Sequence, residues 1–151
     1  MKPLIVLLSC FIISLFATKF FLGSYEVKVS GRISMSAMLL FTAIAHFTYT
    51  KGMAMMLPNF VSYKTQIIYL TGLIEIFAAI GLQIPQLKEV TSWLLIVFFI
   101  MILPANVYAS IAHIDYQKAT TKGKGLPYLW FRIPLQIFFM LWTYVSASGV
   151  K

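Results

Sequence analysis

Long apolar runs separated by short polar segments dominate the chain. Five runs cover about residues 3–23, 33–50, 65–84, 90–112 and 128–146. Each is close to the roughly 20 residues that a helix needs to cross about 30 Å of hydrocarbon. Backbone groups in lipid must be paired within the protein, and the alternating polarity of a membrane β-strand is absent from these runs. The pattern therefore predicts an all-α membrane protein in which five helices form one bundle.

The first run, residues 3–23, has three interpretations. It is a transmembrane helix, a cleaved signal peptide, or a lipoprotein signal that is cut before Cys10 in the sequence Leu7-Leu8-Ser9-Cys10. Both processing signals require a short apolar core followed by a polar mature chain. Because the apolar run continues from Phe11 to Leu22, we expect a transmembrane helix, with the two processing alternatives left open.

The composition excludes an ordinary soluble protein. Charged residues make up 11% of the chain and hydrophobic residues 60%, with a mean hydropathy of +0.87, whereas soluble domains have about 25% charged residues. The net charge is +8, but the Lys and Arg residues are scattered between the apolar runs. They indicate loops beside anionic headgroups and no nucleic-acid site. Cys10 is the only cysteine, which excludes an internal disulfide or a C-x-x-C redox pair.

The loop charges predict the orientation in the membrane. With five spans, the N-terminus and the loops after the second and fourth spans lie on one side, close to Arg132. That side carries Lys2, Lys51, Lys64, Lys118, Lys122 and Lys124, and the other side carries Lys19, Lys28, Arg32, Lys88 and Lys151. Cytoplasmic loops carry an excess of Lys and Arg, so we expect a cytoplasmic N-terminus.

Glu75 is the most informative residue within the spans. It lies about ten residues into the third span, near the membrane midplane, where a carboxylate costs roughly 3 kcal/mol on insertion scales. Gly72, Glu75 and Ala79 share one helix face. Small residues allow a neighbouring helix to approach closely, so we expect this face to point into the bundle.

Five further polar residues share one membrane depth. These are His46, Asn106, His113, Arg132 and Gln136, all in the half beneath the loops that follow the second and fourth spans. Pro104 is expected to interrupt the fourth span and Pro134 to bend the fifth. We expect the polar interior of the bundle to be confined to this half. A metal site is not predicted, because His46, His113 and Glu75 form no H-x-x-x-H or H-E-x-x-H pair.

Two interpretations of these residues remain. They line an intramembrane pocket, because ionisable groups at this depth are functional by default. Alternatively they are structural: Arg132 snorkels to headgroups, His46 and His113 lie at the interface, and a protonated Glu75 hydrogen-bonds to a neighbouring helix.

Six short segments carry a resemblance to a known family. They are His46-Phe47, Met56-Leu57-Pro58, Tyr69 to Glu75, Gly81-Leu82, Pro104 to Tyr108 and Arg132 to Gln136. Their order and spacing resemble the DoxX-like family of small bacterial membrane proteins, over about Ile33 to Tyr144. The resemblance implies a four-helix membrane domain over residues 32–151, preceded by an extra N-terminal transmembrane helix and linker over residues 1–31. It also implies that the protein is located in the bacterial inner membrane.

The resemblance implies less about activity. DoxX-related proteins include a subunit associated with thiosulfate oxidation by quinone, relatives of methylamine-utilisation accessory proteins, and distant animal receptor-assembly chaperones. We expect a ligand pocket lined by Glu75, Arg132, His46, Asn106, Gln136 and His113. Its ligand would be a quinone or a lipid, and the chain would be a redox-linked accessory subunit of a membrane oxidoreductase. Whether the chain is itself an enzyme stays open.

Each residue has an expected role in this hypothesis. Arg132 pairs with Glu75 or with a ligand oxygen, His46 relays a proton, and the two amides orient the head group. The alternative is an assembly factor or scaffold that binds another membrane protein. A third hypothesis, a proton-coupled transporter with Glu75 as carrier, is disfavoured by the small size and the lack of internal repeats.

Overall fold

Helices account for all regular elements in residues 2–147, the part of the chain that this computed structural model describes. They are α1 (Lys2–Leu22), α2 (Val27–Thr48), α3 (Thr50–Ala54), α4 (Lys64–Gly81), α5 (Lys88–Ile111) and α6 (Leu126–Ala147). A single antiparallel bridge joins Asp115 to Thr120 in the loop before α6. The all-α prediction is confirmed. Lys151, which was counted among the loop charges, lies outside the described residues.

Four helices, α1, α2, α4 and α5, are long and apolar enough to cross a membrane. The chain is therefore a helical membrane protein, as predicted. Helix α6 has 22 residues but is not apolar enough to be counted with these four, because Arg132, Pro134 and Gln136 lower its hydropathy. The prediction of five spans is thus supported by composition for four helices, and for α6 it stays a prediction.

Two expectations about the helices were wrong: where the second helix begins and whether Pro104 interrupts α5. The second helix begins at Val27 rather than near Ile33, because Ser30 and Gly31 are small enough to be buried in the bundle. Helix α5 runs without a break through Pro104, where an interruption was expected. A proline removes one backbone hydrogen bond, and here the helix continues on both sides of it.

Helix α2 is the centre of the bundle, with α1, α4 and α6 packed against it and α5 packed against α6. One hydrophobic core joins these helices: Leu7, Met35, Met38, Leu39, Ala78, Ala79, Leu82, Leu95, Phe98, Phe99, Phe139 and Ala147. Since Leu7 of α1 belongs to this core, α1 is an integral part of the bundle. Consecutive helices α4 and α5 touch each other little, which leaves space between them.

A seam of hydroxyl groups lies in the other half of the bundle from His46, Asn106 and Arg132, where the polar interior was predicted. Its buried members are Ser14, Thr18, Ser30, Ser34 and Ser146. Across this seam the Trp142 indole donates a hydrogen bond to the Gly31 carbonyl at 3.1 Å, and Arg32 donates to the Ser146 carbonyl at 3.3 Å. The expectation that polar groups are confined to one half was therefore wrong. Small hydroxyl residues let helices approach closely in lipid, and hydropathy gives them little weight.

Candidate functional site

A cavity of about 870 Å³ lies between α2, α4, α5 and α6. Its wall is largely apolar and includes the buried side chains of Met38, Phe98, Phe99 and Phe139. Polar residues also line it, and we call five of them the polar layer: His46, Glu75, Asn106, Arg132 and Gln136. Small-molecule pockets usually measure about 300–1,000 Å³ and combine apolar walls with a few polar groups. The cavity has the size and the chemistry of such a pocket.

One end of the cavity lies beneath the chain segments that connect the helices. Lys2 of α1, Tyr49 before α3 and Tyr116 of the loop before α6 all line it. Helix α3 packs tightly on that loop, because a Cβ at Gly52 would lie 2.6 Å from the Tyr116 carbonyl carbon. The three segments that were predicted to share one side of the membrane therefore meet at this end.

The cavity also reaches the outer surface of the bundle between α4 and α5. Leu70 and Ile74 of α4 and Met101 of α5 line the cavity, yet they remain 56%, 38% and 72% exposed. Side chains that are both exposed and part of the cavity wall mark its rim. This lateral opening faces the region that lipid chains occupy around a transmembrane bundle.

Glu75 pairs with His46 rather than with Arg132. The imidazole Nε2 of His46 lies 3.6 Å from Oε2 of Glu75, and Glu75 is only 4% exposed. Gly72 brings the two helices together, because a Cβ there would lie 2.9 Å from the His46 Cβ. The predicted inward face of α4 is confirmed, since Gly72, Glu75 and Ala79 are all buried.

Hydrogen bonds around His46 indicate where its protons lie. Nδ1 of His46 is 2.9 Å from the Thr71 hydroxyl and 3.3 Å from the Ile68 carbonyl. The Thr71 hydroxyl donates to that same carbonyl at 2.8 Å. Because a carbonyl only accepts, we assign a hydrogen to Nδ1. Nε2 therefore faces the Glu75 carboxyl group, and the 3.6 Å between them is longer than a hydrogen bond.

Arg132 begins a chain of hydrogen bonds between α6 and α5. Its guanidinium donates to Oδ1 of Asn106 at 3.1 Å, and the Asn106 amide donates to Oε1 of Gln136 at 3.4 Å. The Gln136 amide then donates to the Phe99 carbonyl. The guanidinium carbon also lies 5.0 Å from the Tyr128 ring centre, within cation–π range. No carboxylate in residues 2–147 forms an ion pair with Arg132.

His113 lies apart from the polar layer. It is exposed, does not line the cavity, and adopts a left-handed φ of 53° just after α5. Its ring lies against Gly125, where a Cβ would be 2.6 Å from the His113 Cδ2 atom. The structure therefore brings five of the six predicted site residues together and gives His113 a place in the loop. Ligand binding by any of them stays a prediction.

A family model described as a domain of unknown function (DUF8561) matches residues 35–147. The chain belongs to the DUF8561 family. The DUF8561 region begins inside α2 and ends with α6, so it includes the whole polar layer, while α1 lies outside it. No curated protein and no solved structure matches the chain.

The polar residues of the DUF8561 region that line the cavity and were missed as site residues include three close to the polar layer: Thr71, Tyr116 and Tyr128. Helical spacing could have identified two of them, because Thr71 lies four residues before Glu75 and Tyr128 four before Arg132. Tyr116 lies in a loop, which has no such periodicity. Burial raises the pKa of the Tyr116 phenol above its usual 10.0, and Tyr128 adds to this while Arg132 opposes it. The Tyr116 hydroxyl is therefore neutral at physiological pH.

Proposed function

We propose that the cavity binds one membrane-soluble ligand, a quinone or a lipid, with an apolar body and a polar head. The observation that carries this proposal is the form of the cavity. About 870 Å³ of largely apolar space ends in the polar layer and opens sideways between α4 and α5. An amphiphilic molecule matches both parts of such a wall.

The polar layer supplies the chemistry for the head group. In this proposal His46 relays a proton to or from a ligand oxygen. Oε2 of Glu75 is buried and has no hydrogen-bond partner in residues 2–147, so it is free to accept a hydrogen bond from a ligand. Asn106 and Gln136 are held by their hydrogen bonds and orient the head, while the body lies along Phe98 and Phe139.

We also propose the arrangement of the chain in the membrane. Helix α6 is the fifth span, because its 22 residues extend about 33 Å at 1.5 Å per residue and it packs against α2 and α5. Helices α2, α4, α5 and α6 then form the DoxX-like four-helix domain, and α1 is the additional N-terminal span. The lysines at the loop end of the cavity favour a cytoplasmic N-terminus in a bacterial inner membrane.

In this proposal the chain is a redox-linked accessory subunit of a membrane oxidoreductase. The DoxX-like resemblance and the position of His46 and Glu75 on the cavity wall support this role. Quinone reduction takes up two electrons and two protons, and the electrons would come from the partner oxidoreductase. The chain would hold the quinone head and pass protons to its oxygens.

Filling the cavity tests the proposal. Ala105 of α5 lines the cavity, so Ala105→Phe places a ring in the ligand's space. Val97 of the same helix is 51% exposed and does not line the cavity, so Val97→Phe adds a ring toward the lipid. Mass spectrometry of the purified proteins should detect a bound quinone or lipid in the wild type and in Val97→Phe, and none in Ala105→Phe. The same bound molecules in all three proteins would refute the proposal.

One observation favours the alternative of an assembly factor or scaffold. The chain of hydrogen bonds from Arg132 through Asn106 and Gln136 to the Phe99 carbonyl is complete without a ligand, as a structural cluster requires. In that case Glu75→Gln leaves function intact. Substitutions on the lipid-facing surface, such as Trp93→Ala at a side chain that is 59% exposed, abolish co-purification of a membrane-protein partner.

A further inference from the structure

We infer that the head group of the ligand is anionic, a carboxylate or a phosphate carried on an acyl chain. This inference rests on the proposed function, and of the two ligands named there it selects a lipid with an acidic head over the neutral quinone. The ionisable Lys, Arg, His and Glu side chains on the cavity wall are Lys2, His46, Glu75 and Arg132. Glu75 is the one carboxylate among them, and it lies against His46 at 3.6 Å. Neither Lys2 nor Arg132 forms an ion pair with a carboxylate in residues 2–147.

Arg132 is the cation that an acidic head group would contact. It is half-buried, and its hydrogen-bond acceptor in the described part of the chain is the neutral amide of Asn106. The rings of Tyr116 and Tyr128, at 6.0 and 5.0 Å, attract the guanidinium without neutralising it. A guanidinium has five N–H donors in a fork that matches a carboxylate or phosphate. The remaining donors therefore suit an anion.

The cost of an unneutralised cation favours an acidic ligand over a neutral one. A buried charge is expensive unless it is paired, and a neutral carbonyl head supplies hydrogen bonds but no compensating charge. The same cavity opens to lipid beside Leu70 and Met101, so the acyl chain of an acidic amphiphile can enter sideways and lie along the apolar wall.

The test measures binding of radiolabelled laurate, dodecanol and acetate to the full chain in phosphatidylcholine nanodiscs. Empty nanodiscs provide the value for partitioning into lipid, which is subtracted. Laurate should saturate at one molecule per chain. Dodecanol has the same chain without the charge, and acetate has the charge without the chain. Both should bind at least about tenfold more weakly than laurate, which corresponds to about 1.4 kcal/mol.

Two variants assign the effect to Arg132. Arg132→Gln should weaken laurate binding at least about tenfold and leave dodecanol binding unchanged. Lys122→Gln removes the same charge from an exposed loop position outside the cavity and should bind laurate like the wild type. Asn106→Asp places a carboxylate at the position that now accepts from Arg132 at 3.1 Å. This internal anion should also reduce laurate binding, with the guanidinium still present.

The outcomes separate the inference from the proposed function. If laurate and dodecanol bind equally and Arg132→Gln changes neither, the inference of an acidic head group is overturned. The proposal that the cavity binds an amphiphile then still holds. If acetate binds as tightly as laurate, the site binds soluble anions, and the inference that the ligand carries an acyl chain is overturned. If laurate, dodecanol and a short-chain quinone all fail to bind above the empty nanodiscs, the proposed function fails as well.

Discussion

The imidazole of His46 and the carboxyl group of Glu75 face each other at 3.6 Å and join α2 to α4. Two further residues of α4, Gly72 and Thr71, allow this pair to form. Gly72 removes the side chain that would otherwise hold the helices apart, and the Thr71 hydroxyl lies 2.9 Å from Nδ1 of His46 and orients the ring. Gly72, Thr71 and Glu75 thus act together to place the His46–Glu75 pair on the cavity wall.

Glu75→Gln should lower the free energy of unfolding by about 1–2 kcal/mol. The amide keeps the size of the side chain but removes the carboxyl group that faces His46 at 3.6 Å, and with it the electrostatic part of this buried contact. Glu89→Gln is the matched control, because Glu89 is exposed in the first turn of α5 and should change stability by less than about 0.5 kcal/mol. Reversible unfolding in bicelles measures both values. Equal effects of the two substitutions would contradict the buried pair.

Gly72→Ala should destabilise the protein by about 1–3 kcal/mol, the usual cost of overpacking. The new methyl group would lie 2.9 Å from the Cβ of His46 and 3.2 Å from Cε2 of Phe47, so α2 and α4 must move apart. Leu73→Phe adds volume at the next residue, which is 44% exposed, and should be close to neutral. The same unfolding measurement compares them, and a neutral Gly72→Ala would show that α2 and α4 are not in close contact there.

Tyr116 should make stability depend on alkaline pH. Burial raises the pKa of its phenol above 10.0 in the folded protein, so the unfolded chain loses this proton at a lower pH than the folded chain. The folded state then binds more protons above about pH 10, and the free energy of unfolding falls as the pH rises further. Tyr116→Phe should make this fall shallower. Tyr63→Phe, at a side chain that is 76% exposed, should leave it as in the wild type.

Hydropathy predicted most of the fold, because long apolar runs have few structural alternatives to a membrane helix. It failed where small residues replace apolar ones. Ser30 and Gly31 were predicted to belong to a polar linker, but they lie inside α2. A Cβ at Gly31 would contact Ser146 of α6. A hydropathy scale assigns them to water, although their small size allows α2 and α6 to pack closely.

Membrane depth predicted that five polar residues would meet, wrongly included His113, and did not predict which residues would pair. His46, Glu75, Asn106, Arg132 and Gln136 line one cavity because they lie at similar depths on neighbouring helices. The pairing of Glu75 with His46 follows from the close contact of α2 with α4, which spacing along the chain does not reveal. Arg132 contacts Asn106 because α6 packs against α5.

The lateral opening between α4 and α5 should be the route by which the ligand enters and leaves. A bulky label at Met101, whose side chain is 72% exposed and lines the cavity, should obstruct this route. We expect Met101→Cys, labelled in a Cys10→Ser background, to slow release of bound laurate at least about tenfold, which raises the release barrier by about 1.4 kcal/mol. Ile100→Cys is the matched control, because Ile100 is 55% exposed but does not line the cavity.

Release is measured by mixing loaded nanodiscs with an excess of empty ones and following the transfer of radiolabelled laurate. The label blocks a passage and leaves the polar layer intact, so the amount bound at equilibrium should change less than the rate. If labels at residues 100 and 101 slow release equally, the effect is not specific to the rim. If neither label slows release, the ligand uses the loop end of the cavity, beside Lys2 and Tyr116.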